Sequence, residues 1–218
     1  MAKNKIISDN DIISFYMDYV LEHNEKPTSV FSFAKANNFE ESKFYEFFGS
    51  FEVIEKHIFK AFFDNSMIAL NKSDEFQSFD ARNKLLSFYF TFFENLTANR
   101  SYVIYALNQH KNSLKNLALL SELRKSFTHF VALLDIETID IKQEQLEKIQ
   151  NRAITESAWL QLMLTIKFWM DDTSASFEKT DIFIEKSVNT SFDVLNIVPL
   201  KSIIDFGKFI FKEKMHMN

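Results

Sequence analysis

Two glycines, Gly49 and Gly207, and two prolines, Pro27 and Pro199, are all that punctuate this chain of 218 residues. Folds rich in β-hairpins draw on Gly at their tight turns, and nucleotide-binding loops need runs of it to cradle phosphates. The sequence therefore predicts helices joined by short polar connections, an all-α architecture. Phe occupies 26 positions and apolar residues make up 46% of the chain, which supplies core for one large helical domain or a small head on a larger body.

Helical periodicity and capping residues divide the chain. Ser8 or Asp9 caps a first helix through Ile12, Phe15, Tyr16, Tyr19 and Val20, ending near His23-Asn24. Thr28 or Ser29 caps the next, just past Pro27. Asn37-Asn38 forms a tight connection, since Asn tolerates the left-handed backbone that ends a helix. A short helix through Phe44 follows, and Ser50 then caps a long one to about Leu70. Glu52 and Glu55 lie near the positive end of its dipole, with Ile54, Ile58 and Phe62 on one face.

Residues 71–79 read as a loop. Helices are predicted from Asp80 to about Leu96, over Asn99–Gln109 and over Ser113–Leu134. The longest runs from about Ile141 to Met170, with Asp140 and Gln143 as a capping pair and Leu146, Ile149, Ala153, Leu160, Leu164 and Phe168 on its buried face. Asp171-Asp172-Thr173-Ser174 breaks it, Phe177–Leu195 forms another helix, and Pro199 opens a last one, Leu200 to about Lys214.

The segment Phe33 to Glu52 carries a resemblance. Phe33-Ala34, the Asn37-Asn38 turn, the aromatic pairs Phe44-Tyr45 and Phe47-Phe48, and Gly49-Ser50-Phe51-Glu52 together resemble the N-terminal pattern of the TetR family of bacterial transcriptional repressors. Two positions depart from it: Asn38 stands where the family usually has Gly, and Phe51 where it usually has a phosphate-contacting Lys. The resemblance implies a three-helix helix-turn-helix head over residues 1–50 and a larger helical bundle over residues 51–218 that binds a ligand and pairs two protomers. It also implies that double-stranded DNA meets Thr28, Ser29, Lys35, Ser42, Lys43 and Tyr45, which would touch phosphates and base edges in the major groove. Between residues 25 and 60 the bases Lys26, Lys35, Lys43, Lys56 and Lys60 face the acids Glu25, Glu40, Glu41, Glu46, Glu52 and Glu55, so weak non-specific affinity for a duplex is expected.

Regulators of that family hold a small hydrophobic ligand in the body. The aromatic-rich stretch from Phe88 to Trp169 supplies candidates for such a site, Phe92, His129, Glu156, Trp159 and Met163, with Gln161 and Thr165 as further polar groups; an aromatic run at helical spacing also reads simply as core. A second, shorter resemblance covers Phe168 to Val188, whose Asp-x-Ser, Phe, Thr and Phe-Ile steps are similar to lipid-binding accessory proteins of ubiquinone biosynthesis, which keep the TetR fold. With the Lys-flanked apolar residues of 199–214, it gives the alternative: a lipid carrier or peripheral membrane contact that does not read DNA.

Other classes are poorly served by the sequence. The net charge of −5 gives no global attraction to nucleic acid or anionic lipid. Zero cysteines exclude disulfides and thiol chemistry. His23, His57, His110, His129 and His216 show no metal-ligand spacing, and no nucleophile or acid–base pair stands out, so no enzyme, metal or cofactor is expected. Met1 to Asp11 lacks an apolar signal region and no apolar run reaches membrane-spanning length, which predicts a soluble, cytoplasmic protein.

Overall fold

The computed structural model describes residues 7–109, 117–136 and 144–197. Its helices are α1 Asp9–His23, α2 Val30–Ala36, α3 Glu41–Phe47, α4 Phe51–Leu70, α5 Asp74–Ser78, α6 Ala81–Ala98, α7 Arg100–Asn108, α8 Ser121–Ala132, α9 Glu144–Asp171 and α10 Glu178–Ile197. No strand occurs among the described residues. The predicted all-α class is therefore what the chain adopts.

Local chemistry sets most of the helix ends. Ser8 and Asp11 form a reciprocal capping box at the start of α1: the Asp11 amide donates to Ser8 Oγ at 3.2 Å and the Ser8 amide to Asp11 Oδ2 at 3.0 Å. Asn24 closes the helix with a left-handed φ of 52°. The predicted loop at 71–79 contains the short α5, because Phe76 has an apolar site to fill and is 4% exposed. Residues 117–119 are helical and a turn at Leu120 separates them from α8, so the helix predicted over Ser113–Leu134 is broken there. The capping pair Asp140 and Gln143 and the last predicted helix, residues 199–214, lie outside the described residues.

The chain packs as two compact units. The first comprises the described residues of 1–68 and 92–126, and its core gathers Ile12, Tyr16, Phe33, Phe44, Ile54, Ile58, Phe92, Tyr102, Val103 and Leu123. The second comprises those of 69–91 and 127–218, around Leu85, Phe88, Phe127, Leu162, Ile166, Trp169, Ile184 and Val188.

The predicted buried face of α9 is wrong. Ile149, Ala153, Leu160, Leu164 and Phe168 are exposed, the side chain of Leu146 is outside the described residues, and the buried positions are Gln150, Leu162, Thr165, Ile166 and Trp169. Both Leu160-Leu164-Phe168 and Leu162-Ile166-Trp169 recur at helical spacing. They stand two residues apart, about 200° around the helix, so they occupy opposite faces. Periodicity identifies two stripes and cannot choose between them; the core takes the one carrying Trp169.

The break between α9 and α10 is held by one carboxylate. Asp172 Oδ1 accepts from the Ser174 amide at 2.8 Å and its hydroxyl at 2.7 Å, while Oδ2 accepts from the Thr180 amide at 2.9 Å and its hydroxyl at 2.7 Å. These bonds anchor a turn in which Ser176 and Phe177 take φ of 53° and 58°. The Asp-x-Ser and Thr steps read as a lipid-protein resemblance thus have a local capping role. Burial alone would raise the Asp172 pKa, yet the hydrogen bonds from Ser174 and Thr180 outweigh it and hold the group at about 2. A depressed pKa stabilises the fold fully above the ordinary Asp value and loses that contribution as pH falls through the lowered one. Asp172→Ala is expected to reduce stability at neutral pH and to flatten the acid-induced loss of helix between pH 4 and 2, read by circular dichroism; an unchanged acid transition would remove this role.

Candidate functional site

The first unit builds a helix-turn-helix from α2 and α3. Ser29 Oγ accepts from the Ser32 amide at 3.1 Å and caps α2. At the other end the Asn37 side-chain amide donates to Phe33 O at 2.9 Å, Asn38 turns left-handed at φ 57°, and the Phe39 amide returns to Ala34 O at 3.1 Å. Asn38 therefore performs the turn that Gly would otherwise make, at the modest cost L residues pay there.

Of α3 only Phe44 is buried, so the helix presents most of its side chains outward. Ser42, Tyr45, Glu46 and Phe47 are exposed and Lys43 is half-buried. Lys35, Ser42 and Lys43 line one cleft of about 890 Å³ with Glu40, Glu41 and Glu46. Thr28, Ser29 and Tyr45 do not line it, although all three are exposed; the Thr28 and Ser29 hydroxyls lie 3.3 and 3.0 Å from that of Ser32. The cation on this face is partly spoken for, because Lys43 Nζ donates to Glu46 Oε2 at 2.6 Å and stands 5.3 Å from the centre of the Phe47 ring.

Phe51 turns inward. Its ring centre lies 5.5 Å from Tyr16, 5.7 Å from Phe33 and 5.4 Å from Phe44, within the aromatic packing that joins α1, α2, α3 and α4. The residue that replaces the expected Lys is thus a packing residue of the head. Beside it, a hydrogen bond from the Ser50 side chain lowers the Glu52 pKa.

Glu55, expected near the dipole at the helix start, is instead 2% exposed. Tyr16 donates to its Oε1 at 2.7 Å and Lys26 to its Oε2 at 2.8 Å. A buried carboxylate needs such partners, since an unpaired one would pay its full desolvation penalty. Burial first, then the Glu55 charge, push Tyr16 well above the ordinary phenol range, so its proton stays in this bond. The sequence placed Glu55 near the positive end of the helix dipole; its partners, 39 and 29 residues away, gave no local signal.

The five ligand candidates are dispersed. Phe92 is fully buried in the first unit, whereas His129, Glu156, Trp159 and Met163 belong to the second. His129 and Glu156 are exposed, Met163 is half-buried, and the half-buried Trp159 has its ring 6.4 Å from that of Phe127. None of the five lines the apolar groove of about 680 Å³ between α9 and α10. That groove is formed by Leu160, Leu164, Phe168, Ile182 and Phe183, with Phe168 and Phe183 stacked at 4.5 Å and Lys179 and Lys186 also lining it. Gln161 binds Ser187 and Ser191 there, each at 3.1 Å, and Thr165 donates to Gln161 O at 2.8 Å.

Among the described residues no three His, Cys, Asp or Glu side chains gather as a metal ion would require, and no helix is long and apolar enough to cross a membrane. His23 stacks on Tyr19 at 4.1 Å and His57 stands 3.7 Å from Glu122; His110 and His216 lie outside the described residues. Residues 84–210, more than half of the chain, match the family model described as tetracyclin repressor-like, C-terminal domain. No curated protein matches the chain.

Proposed function

The chain belongs to the tetracyclin repressor-like family, and from that membership we propose that it is a cytoplasmic transcriptional regulator that binds operator DNA as a homodimer. The head, residues 1–50, reads the duplex; the body, residues 51–218, pairs the protomers and takes a small hydrophobic ligand that changes operator affinity. The observation that carries this reading is α3, a helix anchored by Phe44 alone behind a capped α2 and a left-handed Asn38, with Ser42 and Tyr45 free to enter a major groove. Thr28, Ser29, Lys35 and Lys43 serve the phosphates. Pairing is supported by the apolar groove on α9 and α10: two-fold heads match palindromic half-sites only when the bodies associate. Ligand control requires that the effector favour one arrangement of the heads over another.

The test is fluorescence anisotropy against duplex from the upstream region of its own coding sequence and a scrambled control, across a salt series. Lys43→Ala is expected to weaken binding and to reduce the salt slope by about 1. Glu46→Gln has the opposite sign: freeing Lys43 and removing a carboxylate from the DNA face should tighten binding by roughly threefold or more at low salt. Unchanged affinity in both variants would remove α3 from the interface. One observation favours a second reading, a lipid-binding protein that keeps the fold without reading DNA: Glu46 claims the ammonium of Lys43 and three acids share the cleft with Lys35 and Lys43. Absence of duplex binding at low salt, with liposome binding that requires residues 199–214, would replace the first reading by the second.

A further inference from the structure

α3 carries a carboxylate at the middle of its outward side. Phe44 is the buried residue of this helix. A helix turns by about 100° per residue, so Ser42 and Glu46, two positions before and after Phe44, stand opposite it and one above the other. Both are exposed, and Lys43 and Tyr45 flank them at the edges of the face. A helix in the major groove turns the middle of such a face to the base edges and its flanks to the backbones. Granted that α3 enters the groove, on which this inference rests, Glu46 meets bases while Lys43 stays with the phosphates.

The ion pair on this face does more than occupy a cation. Glu46 Oε2 accepts from Lys43 Nζ at 2.6 Å, and Glu46 Oε1 makes no hydrogen bond among the described residues. As a unit the pair is close to neutral, so Glu46 approaches the polyanion without an uncompensated charge. Lys43 keeps its other two ammonium protons for a phosphate.

A carboxylate accepts hydrogen bonds and donates none, so it sorts bases by what their major-groove edges offer. Guanine shows two acceptors, N7 and O6, and thymine shows O4 and a methyl group. Adenine offers its N6 amine between two acceptors, its own N7 and O4 of the paired thymine. Cytosine offers its N4 amine with an acceptor on one side only, O6 of the paired guanine. Glu46 is drawn to that amine and repelled by the acceptor edges, and repelling the wrong base discriminates as attraction to the right one does. The rest of the helix agrees. From Glu41 to Phe47 it holds no Arg, Asn or Gln to make two-bond contacts with guanine or adenine, and its Lys is bound to Glu46 at the flank. The geometry points to Glu46 as a specificity-determining residue that reads cytosine in the operator.

The test is selection from a pool of duplexes with a randomised core, by the full chain and by two variants. Wild type is expected to enrich sites in which one position is held as cytosine. The Glu46 side chain is 56% exposed, so the fold should tolerate Glu46→Gln. Gln keeps a carbonyl that accepts from N4, loses the repulsion, and gains an amide that donates to N7, O6 or O4; the cytosine position should relax while the rest of the site persists. In anisotropy, replacing that C·G pair by T·A should weaken wild type by about tenfold and Glu46→Gln by about threefold or less. The low-salt tightening of Glu46→Gln should then fall more on the replaced site than on the selected one. Glu41→Gln removes the same charge from the same cleft and should retain the cytosine preference. An unchanged preference in Glu46→Gln, or its loss in Glu41→Gln as well, would overturn the cytosine contact and leave DNA binding standing. No enrichment by wild type would overturn both.

Discussion

Phe33→Ala is expected to cost the first unit about 3–5 kcal/mol, the range for deleting a fully buried Phe. Phe33 is 0% exposed, and its ring meets those of Tyr16, Tyr19, Phe39, Phe44 and Phe51 at 5.7 to 6.3 Å, so one side chain ties α1, α2, α3 and α4 together. Aromatic rings cannot close around a vacated neighbour without leaving their rotamers, which puts the cost toward the upper end. Denaturant unfolding should shift to lower midpoints, and hydrogen exchange should show α2 and α3 opening first. Phe31→Ala is the matched control: at 60% exposure it should change stability by less than about 0.5 kcal/mol. Equal effects from the two substitutions would mean that the aromatic packing does not hold the head.

Charging the α9–α10 groove should split the proposed homodimer. Leu160 and Leu164 are 59% and 54% exposed in the single chain, a heavy exposure for two leucines one turn apart on a helix whose other stripe is buried. Leu164→Asp, placed at the centre of a paired face, would bury a carboxylate without a partner and cost about 3–5 kcal/mol of association, more than a hundredfold in the dimer dissociation constant. The isolated fold should be unaffected, since Leu164 contributes little to the core. Sedimentation equilibrium of wild type and variant decides it. A monomeric wild type at micromolar concentration would sink the pairing, and a variant that still dimerises would move the interface elsewhere.

The two substitutions also mark how far the sequence could be read. The residues around Phe33 were legible because their signals are local: Ser8 and Ser29 offer side-chain oxygens at fixed spacing from the first free amides, and Asn38 supplies a left-handed residue. Each acts within a few positions of itself, as helix capping does. The aromatic residues then had to meet, because short helices joined by tight turns leave few other places for them. Phe51 was legible as a departure from a pattern, yet its role as a packing residue was not.

On α9 the same kind of reading failed, for a definite reason. A stripe of Leu160, Leu164 and Phe168 and a stripe of Leu162, Ile166 and Trp169 satisfy the same period, and nothing within the helix distinguishes the face that packs from the face left open. The choice belongs to the neighbours that Trp169 and Ile166 find. Glu55 belongs to the same case: a glutamate near the start of a helix reads as a partner of the dipole until Tyr16 and Lys26 arrive from distant parts of the chain and satisfy its buried carboxylate. The scarcity of Gly and Pro, the caps and the periodicity determined that this protein is helical and where most helices begin and end. Only the tertiary structure decided which sides of them face inward, because burial is settled by contacts between residues far apart in sequence.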